Sequence, residues 1–562
     1  MKVVIIGGVA GGATAAARLR RLDENAEIVV LERTGYVSYA NCGLPYFVGG
    51  TITDRRKLTL QTPESFRNRF DIDVRVLSEA VAIDRAAKTV AVRDLASGEE
   101  YTEAYDKLIL SPGARAVVPD LPGIRHERIM TLRTVEDAFR IHDHVEREQP
   151  ASAVVVGAGF IGLEMAENLR DRGIDVAVVQ RGAHVMPTLD ADMAAIAHNH
   201  LRSHGVDLLL EADVTGFEKR EGRLATALAD GRELVSDLVI LAVGVAPESS
   251  LARDAGLELG MRGSIATDEH MRTSDPDIYA VGDAVQVKHF VTGADALIAL
   301  AGPANKQGRI AADNICGIAS RFTGSQGSSV LKLFDLAVAT TGLTEGAALA
   351  AGLDARHVVL SPASHATYYP GAGGMTMKVV YENGSGRILG AQIIGAHGAD
   401  KRIDVLATAI RANMTAADLT ELDLAYAPPY SSAKDPVNMA GFAIENILAG
   451  RVEQMDWTEA LKPVEGEILL DTRTEGEVSR GAIEGALHIP VDELRARLGE
   501  LPRDKRLRVF CASGLRSYVA CRILMQHGFA CANIAGGYGF YQETMLDRER
   551  RRDGVADCGI AI

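Results

Sequence analysis

The sequence predicts an α/β protein with several domains. Two segments, residues 2–32 and 152–180, each contain a buried strand, a glycine-rich turn, a helix and a second strand. A stretch near the C-terminus also alternates strands and helices. Such alternation predicts βαβ units and parallel sheets. The length of 562 residues allows three or four domains at about 150 residues each.

The domain organisation is predicted from changes of pattern along the chain. After residue 325, short strands followed by helices replace the βαβ pattern and predict a separate α+β unit. Residues 449–464 have a mixed character, typical of a linker, and about 90 residues of α/β character follow them. The predicted domains are 1–113 together with 244–325, then 114–243, 326–448, the linker 449–464, and 465–556.

Composition excludes several classes of protein. Hydrophobic residues make up 47% and charged residues 24%, as in ordinary globular proteins. A formal charge of −15 argues against a nucleic-acid partner, and the absence of about 18 uninterrupted apolar residues predicts no membrane helix. Glycines interrupt the apolar N-terminus and arginines follow it, which argues against a signal peptide. Six cysteines are too few for a disulfide framework and suit a reducing compartment, so we expect a cytoplasmic protein.

The first glycine loop, GGVAGG at 7–12, has the features of a dinucleotide site. Gly7 provides the tight bend and Gly12 allows close packing of helix on strand, although Val9 replaces the usual middle glycine. Glu32 lies 20 residues after Gly12, at the end of the next strand, where a carboxylate binds a ribose hydroxyl. The loop therefore predicts a bound dinucleotide.

The second loop matches the dinucleotide pattern at every position, with Gly157, Gly159 and Gly162. Its second strand ends at Gln180 followed by Arg181, where an acidic residue is usual. Without that carboxylate nothing repels a 2′-phosphate, so both NADH and NADPH remain open. Two such loops in one chain suggest two dinucleotides with hydride transfer between them.

Together these features resemble the pyridine nucleotide–disulfide oxidoreductases over residues 1–448. The resemblance also includes TSDPDIYAVGDA with Asp283, LSPGA at 110–114 and AGPANKQGR at 301–309. It implies a homodimer that uses FAD and NAD(P)H, with FAD-binding (1–113 and 244–325), NAD(P)-binding (114–243) and dimerisation (326–448) domains. The residues that it implies for cofactor binding are Gly7, Ala10, Gly12, Glu32, Arg33, Val81, Ser111, Gly113, Asp283, Ala301, Ala304, Gly157, Gly159, Ile161, Gly162, Gln180 and Gly244.

One cysteine, Cys42 in SYANCGLPY, stands at the family's redox position. The C-x4-C pair of the dithiol members is absent because Phe47 occupies the second position, and AYAPPYSSAKDP at 425–436 replaces their His-Pro motif. The single-cysteine branch contains coenzyme A-disulfide reductases, persulfide reductases, and NADH oxidases and peroxidases. Oxidases and peroxidases usually have a histidine at the position of Ala10, which disfavours them here.

GGVAGG, YYPG at 368–371 and the AYAPP element resemble the coenzyme A-dependent members of this branch. In that group Tyr368 and Tyr426 match tyrosines near the partner subunit's cysteine, and they are predicted to be catalytic together with Cys42. Arg18 and Arg21 share a helix face, which suits the phosphates of coenzyme A. The residues that the resemblance implies for coenzyme A binding are Thr14, Arg18, Arg21, Ser38, Asn41, Asn305 and Lys434.

Cys42 is expected to act as a thiolate, because the thiolate is the nucleophilic form of cysteine. The start of a helix after Cys42 predicts a lowered pKa for this thiol. Attack on a coenzyme A disulfide or persulfide would give a mixed disulfide or a Cys42 persulfide. Flavin reduced by NAD(P)H would restore the thiolate, and a tyrosine hydroxyl would protonate the leaving group.

The C-terminal domain contains CASGLRS, with Cys511 and Arg516 directly before a helix. Backbone N–H groups at such a turn form an anion-binding nest, and Arg516 adds positive charge. LLDTR at 469–473, Glu477, GAIEGALHIP and AGGYGFY complete a resemblance to the rhodaneses over 465–545, although Ala482 replaces a common histidine. The resemblance implies transfer of sulfane sulfur through a Cys511 persulfide.

Several alternatives stay open from sequence. The substrate of a reductase could be coenzyme A persulfide, polysulfide or coenzyme A disulfide. Two alternative functions are an NADH oxidase or peroxidase that uses a Cys42 sulfenic acid, and a non-catalytic redox- or sulfur-sensing protein. Among His198, His200 and His204 only the last two share a helix face. No carboxylate or cysteine stands at ligand spacing from them, so we predict no metal site.

Overall fold

The structure is a computed structural model that describes residues 1–553. Its described residues divide into two compact units, the first containing residues 1–182 and 205–327 and the second containing residues 183–204 and 328–553. The predicted α/β class is confirmed, because strands alternate with helices and form parallel sheets in both glycine-loop segments and near the C-terminus. Residues 554–556, the last of the predicted C-terminal domain, lie outside the described residues.

The strands are numbered along the chain. In the first 327 residues they are β1 (Lys2–Ile6), β2 (Glu27–Leu31), β3 (Asp73–Arg75), β4 (Ser78–Asp84), β5 (Thr89–Asp94), β6 (Glu100–Ala104), β7 (Lys107–Leu110), β8 (Ala114–Ala116), β9 (Ile129–Thr131), β10 (Ser152–Val156), β11 (Asp175–Val179), β12 (Val206–Leu209), β13 (Val214–Arg220), β14 (Arg223–Leu228), β15 (Glu233–Ser236), β16 (Leu238–Leu241), β17 (Val245–Pro247), β18 (Ile278–Ala280), β19 (Val287–Lys288) and β20 (Asp295–Ala296). The later ones are β21 (Ser329–Leu333), β22 (Leu336–Gly342), β23 (Ala355–Leu360), β24 (Met375–Glu382), β25 (Ile388–Gly395), β26 (Gln454–Met455), β27 (Glu467–Asp471), β28 (Leu487–His488), β29 (Arg506–Phe510) and β30 (Cys531–Ile534).

The helices are numbered in the same way. They are α1 (Ala10–Leu22), α2 (Leu44–Val48), α3 (Pro63–Phe70), α4 (Val135–Glu148), α5 (Phe160–Asp171), α6 (Ala191–Ser203), α7 (Ser250–Asp254), α8 (Ala301–Ile315), α9 (Glu345–Ala350), α10 (Ala399–Arg411), α11 (Ala416–Thr420), α12 (Pro436–Leu448), α13 (Trp457–Ala460), α14 (Glu475–Val478), α15 (Leu494–Arg497), α16 (Leu515–Gln526) and α17 (Gly537–Asp553). Short 3₁₀ turns include Asn41–Gly43 and Gly282–Ala284.

Two parallel five-stranded sheets form the core of the first unit. Their strand orders are β18-β7-β1-β2-β3 and β12-β11-β10-β16-β9. The glycine loops follow β1 and β10, the strands beside which the strand order reverses, and lead into α1 and α5. Ligands of such sheets bind at the carboxyl ends of the strands at this position. The fold therefore places both loops where a dinucleotide binds.

The second unit contains an antiparallel sheet, β21-β22-β25-β24-β23, and a parallel sheet, β26-β30-β29-β27-β28. The Cys511 loop joins β29, the central strand of the parallel sheet, to α16. Leu470, Leu507, Val509 and Leu524 are fully buried in the core of this sheet. The reactive loop thus rests on a rigid strand and helix.

The segment predicted as a linker, 449–464, needs a correction. Gln454 and Met455 form β26 and pair with Asn533 and Ile534 in β30. Trp457 is buried and donates a hydrogen bond from its indole nitrogen to the Gly537 carbonyl at 2.9 Å. Gln454 and Met455 are therefore part of the C-terminal sheet, and Trp457 buries its indole against Phe510 of β29. None of the helices between residues 1 and 553 is long and apolar enough to cross a membrane.

Candidate active sites

The loop after β1 is packed so tightly that only glycine fits at two positions. A Cβ on Gly7 would lie 2.0 Å from the Ser111 carbonyl oxygen, and one on Gly12 would lie 1.9 Å from the Gly7 oxygen. Gly7 also has a φ of 96°, a conformation that favours glycine. Ala10 begins α1, whose first turn carries no acidic residue. Its N-terminal N–H groups suit an anionic pyrophosphate.

Glu32 is buried and ties the loop to the end of β2. One of its carboxylate oxygens accepts a hydrogen bond from the Gly8 N–H at 2.9 Å, and the other accepts from the Thr34 N–H and hydroxyl. The neighbouring Arg33 is exposed and lies 3.9 Å from Glu248. Glu32 therefore stands at the position where a carboxylate binds a ribose.

Six further predicted cofactor positions lie in the same unit. Val81 falls at an irregularity between Ala80 and Ala82, where β4 shifts register against β5 and the ladder is locally interrupted. Asp283 lies in the 3₁₀ turn, and burial raises the pKa of its carboxyl although Arg133 stands 3.8 Å away. Ser111 and Gly113 are half-buried, while Ala304 is buried and Ala301 is exposed at the start of α8.

The loop after β10 repeats this geometry. A Cβ on Gly157 would lie 2.3 Å from the Ala242 oxygen, and one on Gly162 would lie 1.9 Å from the Gly157 oxygen, whereas Gly159 faces open space. Gln180 accepts a hydrogen bond from the Ala158 N–H at 3.1 Å, as Glu32 does from Gly8. Ile161 is half-buried in the first turn of α5, and Gly244 has a φ of 113°. In both loops the backbone is therefore shaped so that a dinucleotide can bind close to it.

Cys42 lies in the 3₁₀ turn Asn41–Gly43 and reaches the surface of the first unit. The predicted lowering of its pKa is wrong. Partial burial raises the pKa of the Cys42 thiol, and the negative charges of Glu164 and Asp283 raise it further. The helix that follows, α2, has only five residues, so its dipole does not outweigh desolvation and two carboxylates.

Glu164 is a titratable residue that acts on Cys42 and that the sequence did not single out. It lies on α5, and burial together with Glu167 raises the pKa of its carboxyl to about 7. Its hydrogen-bond partner is the Tyr46 hydroxyl, and burial raises the pKa of Tyr46 to about 12. The signal in the sequence was a glutamate among the apolar residues of GFIGLEMAE. Glu164 is placed to hold a proton beside Cys42 near neutral pH.

Replacing Glu164 with glutamine is expected to lower the pKa of Cys42. The carboxylate raises this pKa because it disfavours a second negative charge nearby, and the neutral amide removes that repulsion. Alkylation of Cys42 by iodoacetamide, measured against pH, checks the shift, with the wild-type midpoint above that of the variant. Glu146→Gln, at an exposed position on α4, is the control. An unchanged or raised Cys42 midpoint in Glu164→Gln would contradict the assignment.

The predicted coenzyme A residues of the first unit are partly brought together. The Thr14 hydroxyl donates to Asn305 at 2.8 Å. Arg18 donates to Asp313 at 2.7 Å, so its charge is partly neutralised, while Arg21 is exposed. The remaining predicted positions differ in setting: Asn41 is exposed 3.5 Å from Arg133, Ser38 has a φ of 48°, and Lys434 is exposed in the second unit.

Tyr368 and Tyr426 form a pair in the second unit. Their hydroxyl oxygens are 2.8 Å apart, and both side chains are exposed, at 75% and 46%. The hydrogen bond between the two hydroxyls raises the pKa of Tyr426, which keeps its proton at neutral pH. Tyr369 instead packs edge-on against His365. Tyr368 is therefore the tyrosine of YYPG that pairs with the AYAPP element.

Cys511 is fully buried at the end of β29. Its sulfur accepts a hydrogen bond from the Gly514 N–H at 3.1 Å, and the Ser517 hydroxyl lies 3.4 Å away. A Cβ on Gly537 would lie 2.6 Å from the Ser513 nitrogen, so the AGGYGFY turn must be glycine there to close over the loop. These donors are the predicted nest for a thiolate or persulfide.

Arg516 makes two hydrogen bonds with Glu477, at 2.8 and 2.7 Å. Arg516 lowers the pKa of Glu477 to about 2, and the thiol of Cys511 also hydrogen-bonds this guanidinium. The guanidinium is thus held in place by Glu477 while it faces Cys511. Because the Glu477 carboxylate partly neutralises the guanidinium, Arg516 attracts a negatively charged Cys511 sulfur less strongly than an unpaired arginine does.

Comparison with known proteins agrees with this architecture. Residues 1–308 match the family described as pyridine nucleotide-disulphide oxidoreductase, 328–436 match its dimerisation domain, and 454–544 match the rhodanese-like domain. The chain belongs to the pyridine nucleotide-disulphide oxidoreductases. Members of this family use FAD and NAD(P)H, and the residues above fit both cofactors.

Relatives and solved structures carry more specific names. The chain is 34% identical to a coenzyme A disulfide reductase of Staphylococcus haemolyticus, over 79% of this chain and 100% of the relative. It is 49% identical to a structure described as reduced Bacillus anthracis CoADR-RHD, with a TM-score of 0.95 over 97% of this chain and 98% of that one. A NAD-dependent persulfide reductase from A. fulgidus is 41% identical, with a TM-score of 0.91 over 96% and 100%.

Proposed function

We propose that this protein is an FAD-dependent NAD(P)H reductase of coenzyme A persulfide, polysulfide or coenzyme A disulfide. The main supporting observation is that Cys42 is the one exposed thiol among residues 1–553 and lies in a unit with two dinucleotide loops. The other cysteines of residues 1–553 are half-buried or buried and free. The same proposal includes a homodimer, which the dimerisation domain supports. It also includes a cytoplasmic location, because the reaction needs reduced thiols.

Cys42 is the nucleophile of the proposed reaction. Its thiolate attacks the sulfane sulfur of coenzyme A persulfide, the S–S bond breaks, and the coenzyme A thiolate leaves with a proton from an acid. Bound FAD supplies two electrons, which originate in NAD(P)H. These cleave the S–S bond of the Cys42 persulfide and give the Cys42 thiolate and hydrosulfide. With coenzyme A disulfide the same steps give two molecules of coenzyme A.

Persulfide is favoured over plain disulfide because the same chain carries the Cys511 loop. Cys511 would take sulfane sulfur from a donor and pass it to the coenzyme A thiol, which makes the substrate for Cys42. The donors around Cys511 support this role, since they stabilise a negatively charged sulfur. The predicted domain boundaries, apart from the linker 449–464, and the remaining site residues are part of this proposal.

The deciding experiment measures NAD(P)H oxidation by the holoenzyme, anaerobically with coenzyme A persulfide, coenzyme A disulfide or peroxide as acceptor, and in a separate aerobic assay with oxygen. Sulfide release with the persulfide, faster than thiol release with the disulfide, supports the proposal. NAD(P)H oxidation that requires oxygen or peroxide supports the oxidase alternative instead. Negligible turnover with every acceptor would favour a sensing protein. Comparing turnover with NADH and with NADPH in the same assay shows which of the two nucleotides the enzyme prefers.

Tyr368→Phe and Tyr426→Phe are each expected to lower turnover about 10²-fold, the usual size of general-acid catalysis. Removing either hydroxyl breaks the 2.8 Å bond between them and removes the proton source for the leaving thiolate. The double variant should be little worse than either single one, because the pair acts as a unit. Tyr430→Phe, exposed in the same segment, is the control. Full activity in both single variants would contradict the assignment.

A further inference from the structure

Three metal-ligating side chains meet in the second unit, apart from the cysteine and glycine-loop sites. His200 and His204 lie one turn apart, at the end of α6 and just after it, and Asp335 lies in the turn between β21 and β22. The His200 Nε2 is 2.7 Å from Asp335 Oδ1, and the His204 Nε2 is 3.7 Å from the same oxygen. The group could not be recognised from the sequence, because its carboxylate lies more than 130 residues after the histidines.

Both Nε2 atoms face the Asp335 carboxylate, and the His204 ring carries its proton on the other nitrogen. The His204 Nδ1 lies 2.9 Å from the His200 carbonyl oxygen, which only accepts, so the ring proton is on Nδ1. His200 hydrogen-bonds the backbone of Leu333, and its Nε2 lies 2.7 Å from the Asp335 carboxylate oxygen. Metal-binding histidines have this arrangement, with the other ring nitrogen bound to a carbonyl.

The turn that carries Asp335 is held in an unusual conformation. Phe334 has a φ of 54°, a region that bulky residues rarely adopt. Its ring stacks on His204 at a centroid distance of 4.1 Å and an interplanar angle of 9°. Strain of this kind persists where surrounding contacts fix it, and it often marks functional sites. The stacking holds the carboxylate next to the two imidazoles.

We propose that His200, His204 and Asp335 bind one divalent transition-metal cation of the Zn²⁺ type. Two imidazole nitrogens and one carboxylate oxygen are ligands that Zn²⁺ prefers, with water in the fourth tetrahedral position. Bonds of about 2.0–2.2 Å place tetrahedral ligand atoms about 3.3 Å apart, and the two observed separations bracket this value. Asp335 is 74% exposed, so an ion enters directly from solvent. The bound cation would join α6 to the β21–β22 hairpin.

The test is titration of the FAD-loaded full chain with Co²⁺ and with Zn²⁺. Cys42→Ser and Cys511→Ser are combined in every protein, so that these thiols do not bind the ions. We expect one Co²⁺ per chain, with the absorption of four-coordinate Co²⁺, and a higher midpoint of thermal unfolding with Zn²⁺. His204→Gln and Asp335→Asn should each weaken binding by at least about ten-fold. His397→Gln, an exposed histidine outside the group, should bind as the parent does.

Circular dichroism establishes that His204→Gln and Asp335→Asn fold, which is expected because neither side chain is fully buried. Equal affinity in the parent and both variants would overturn the proposal, as would the absence of saturable binding below millimolar metal. The outcome is independent of the proposed reductase function, because the readouts are metal affinity and thermal stability and because Cys42 is absent from every protein tested.

Discussion

Cys42→Ser is expected to abolish NAD(P)H-dependent release of sulfide from coenzyme A persulfide, by at least about 10³-fold. A serine hydroxyl is not ionised near neutral pH, so the variant lacks the nucleophile that forms the S–S bond to substrate. The measurement is anaerobic turnover, with sulfide and free thiol determined together. FAD content should equal that of the wild type, because the residues of the first glycine loop are untouched.

Cys316→Ser is the matched control for this variant. Cys316 is a half-buried free cysteine at the C-terminal end of α8, in the same unit as Cys42. Its replacement removes one thiol and leaves the proposed nucleophile, so turnover should stay close to that of the wild type. Turnover retained in Cys42→Ser, or lost equally in Cys316→Ser, would show that the chemistry does not pass through Cys42.

The glycine loops could be predicted from sequence because their requirements are local. Gly12 lies five positions after Gly7 and packs on the Gly7 carbonyl, and the tight turn gives Gly7 a positive φ, although a Cβ on Gly7 would also meet the distant Ser111 carbonyl. A strand, a turn and a helix in a short segment contain nearly all of the geometry that binds a pyrophosphate. Gln180 and Glu32 were predicted for the same reason, since each ends the strand next to its loop.

The electrostatics of Cys42 could not be predicted in this way. Glu164 lies more than 120 residues after Cys42, and its carboxyl acts through space on the thiol. The dipole of the short α2 was visible in the sequence, whereas the desolvation that opposes it depends on tertiary packing. The same limit applies to Asp335, which reaches His200 and His204 only through the hairpin of β21 and β22.

The linker prediction failed for a related reason. A two-residue edge strand such as Gln454–Met455 carries no periodic signal, because alternation needs at least four residues to be recognised. Its assignment depends on β30, about 80 residues later in the chain. Trp457, the only tryptophan in the sequence, was the one available signal, since a lone large aromatic residue next to polar neighbours is commonly buried.

The proposed reactions of the two sulfur sites explain why one chain contains both the reductase domains and a rhodanese-like domain. In the proposed function, reduction at Cys42 consumes a persulfide, and the rhodanese-type loop at Cys511 produces one from a sulfane donor and a thiol. Coenzyme A has a long flexible arm, so one carrier can present its sulfur to each cysteine in turn. The two half-reactions should then be separable, because each depends on a different thiol.

Cys511→Ser is accordingly expected to abolish sulfur transfer from thiosulfate to coenzyme A, by at least about 10³-fold. The variant retains the Gly514 N–H donor but has no sulfur to carry the persulfide. Reduction of preformed coenzyme A persulfide should remain near the wild-type rate, and Cys42→Ser should show the reverse pattern. Transfer is measured as persulfide formed without NAD(P)H, and reduction as sulfide released with it.

Cys521→Ala serves as the control in the same sheet, because it removes a fully buried free thiol from α16 and leaves the Cys511 loop intact. It should transfer sulfur at close to the wild-type rate. Transfer that survives in Cys511→Ser would exclude the persulfide at this position. Loss of reduction together with transfer would show instead that sulfur reaches Cys42 only by way of Cys511, since a preformed substrate would then have no direct access to the reductase thiol.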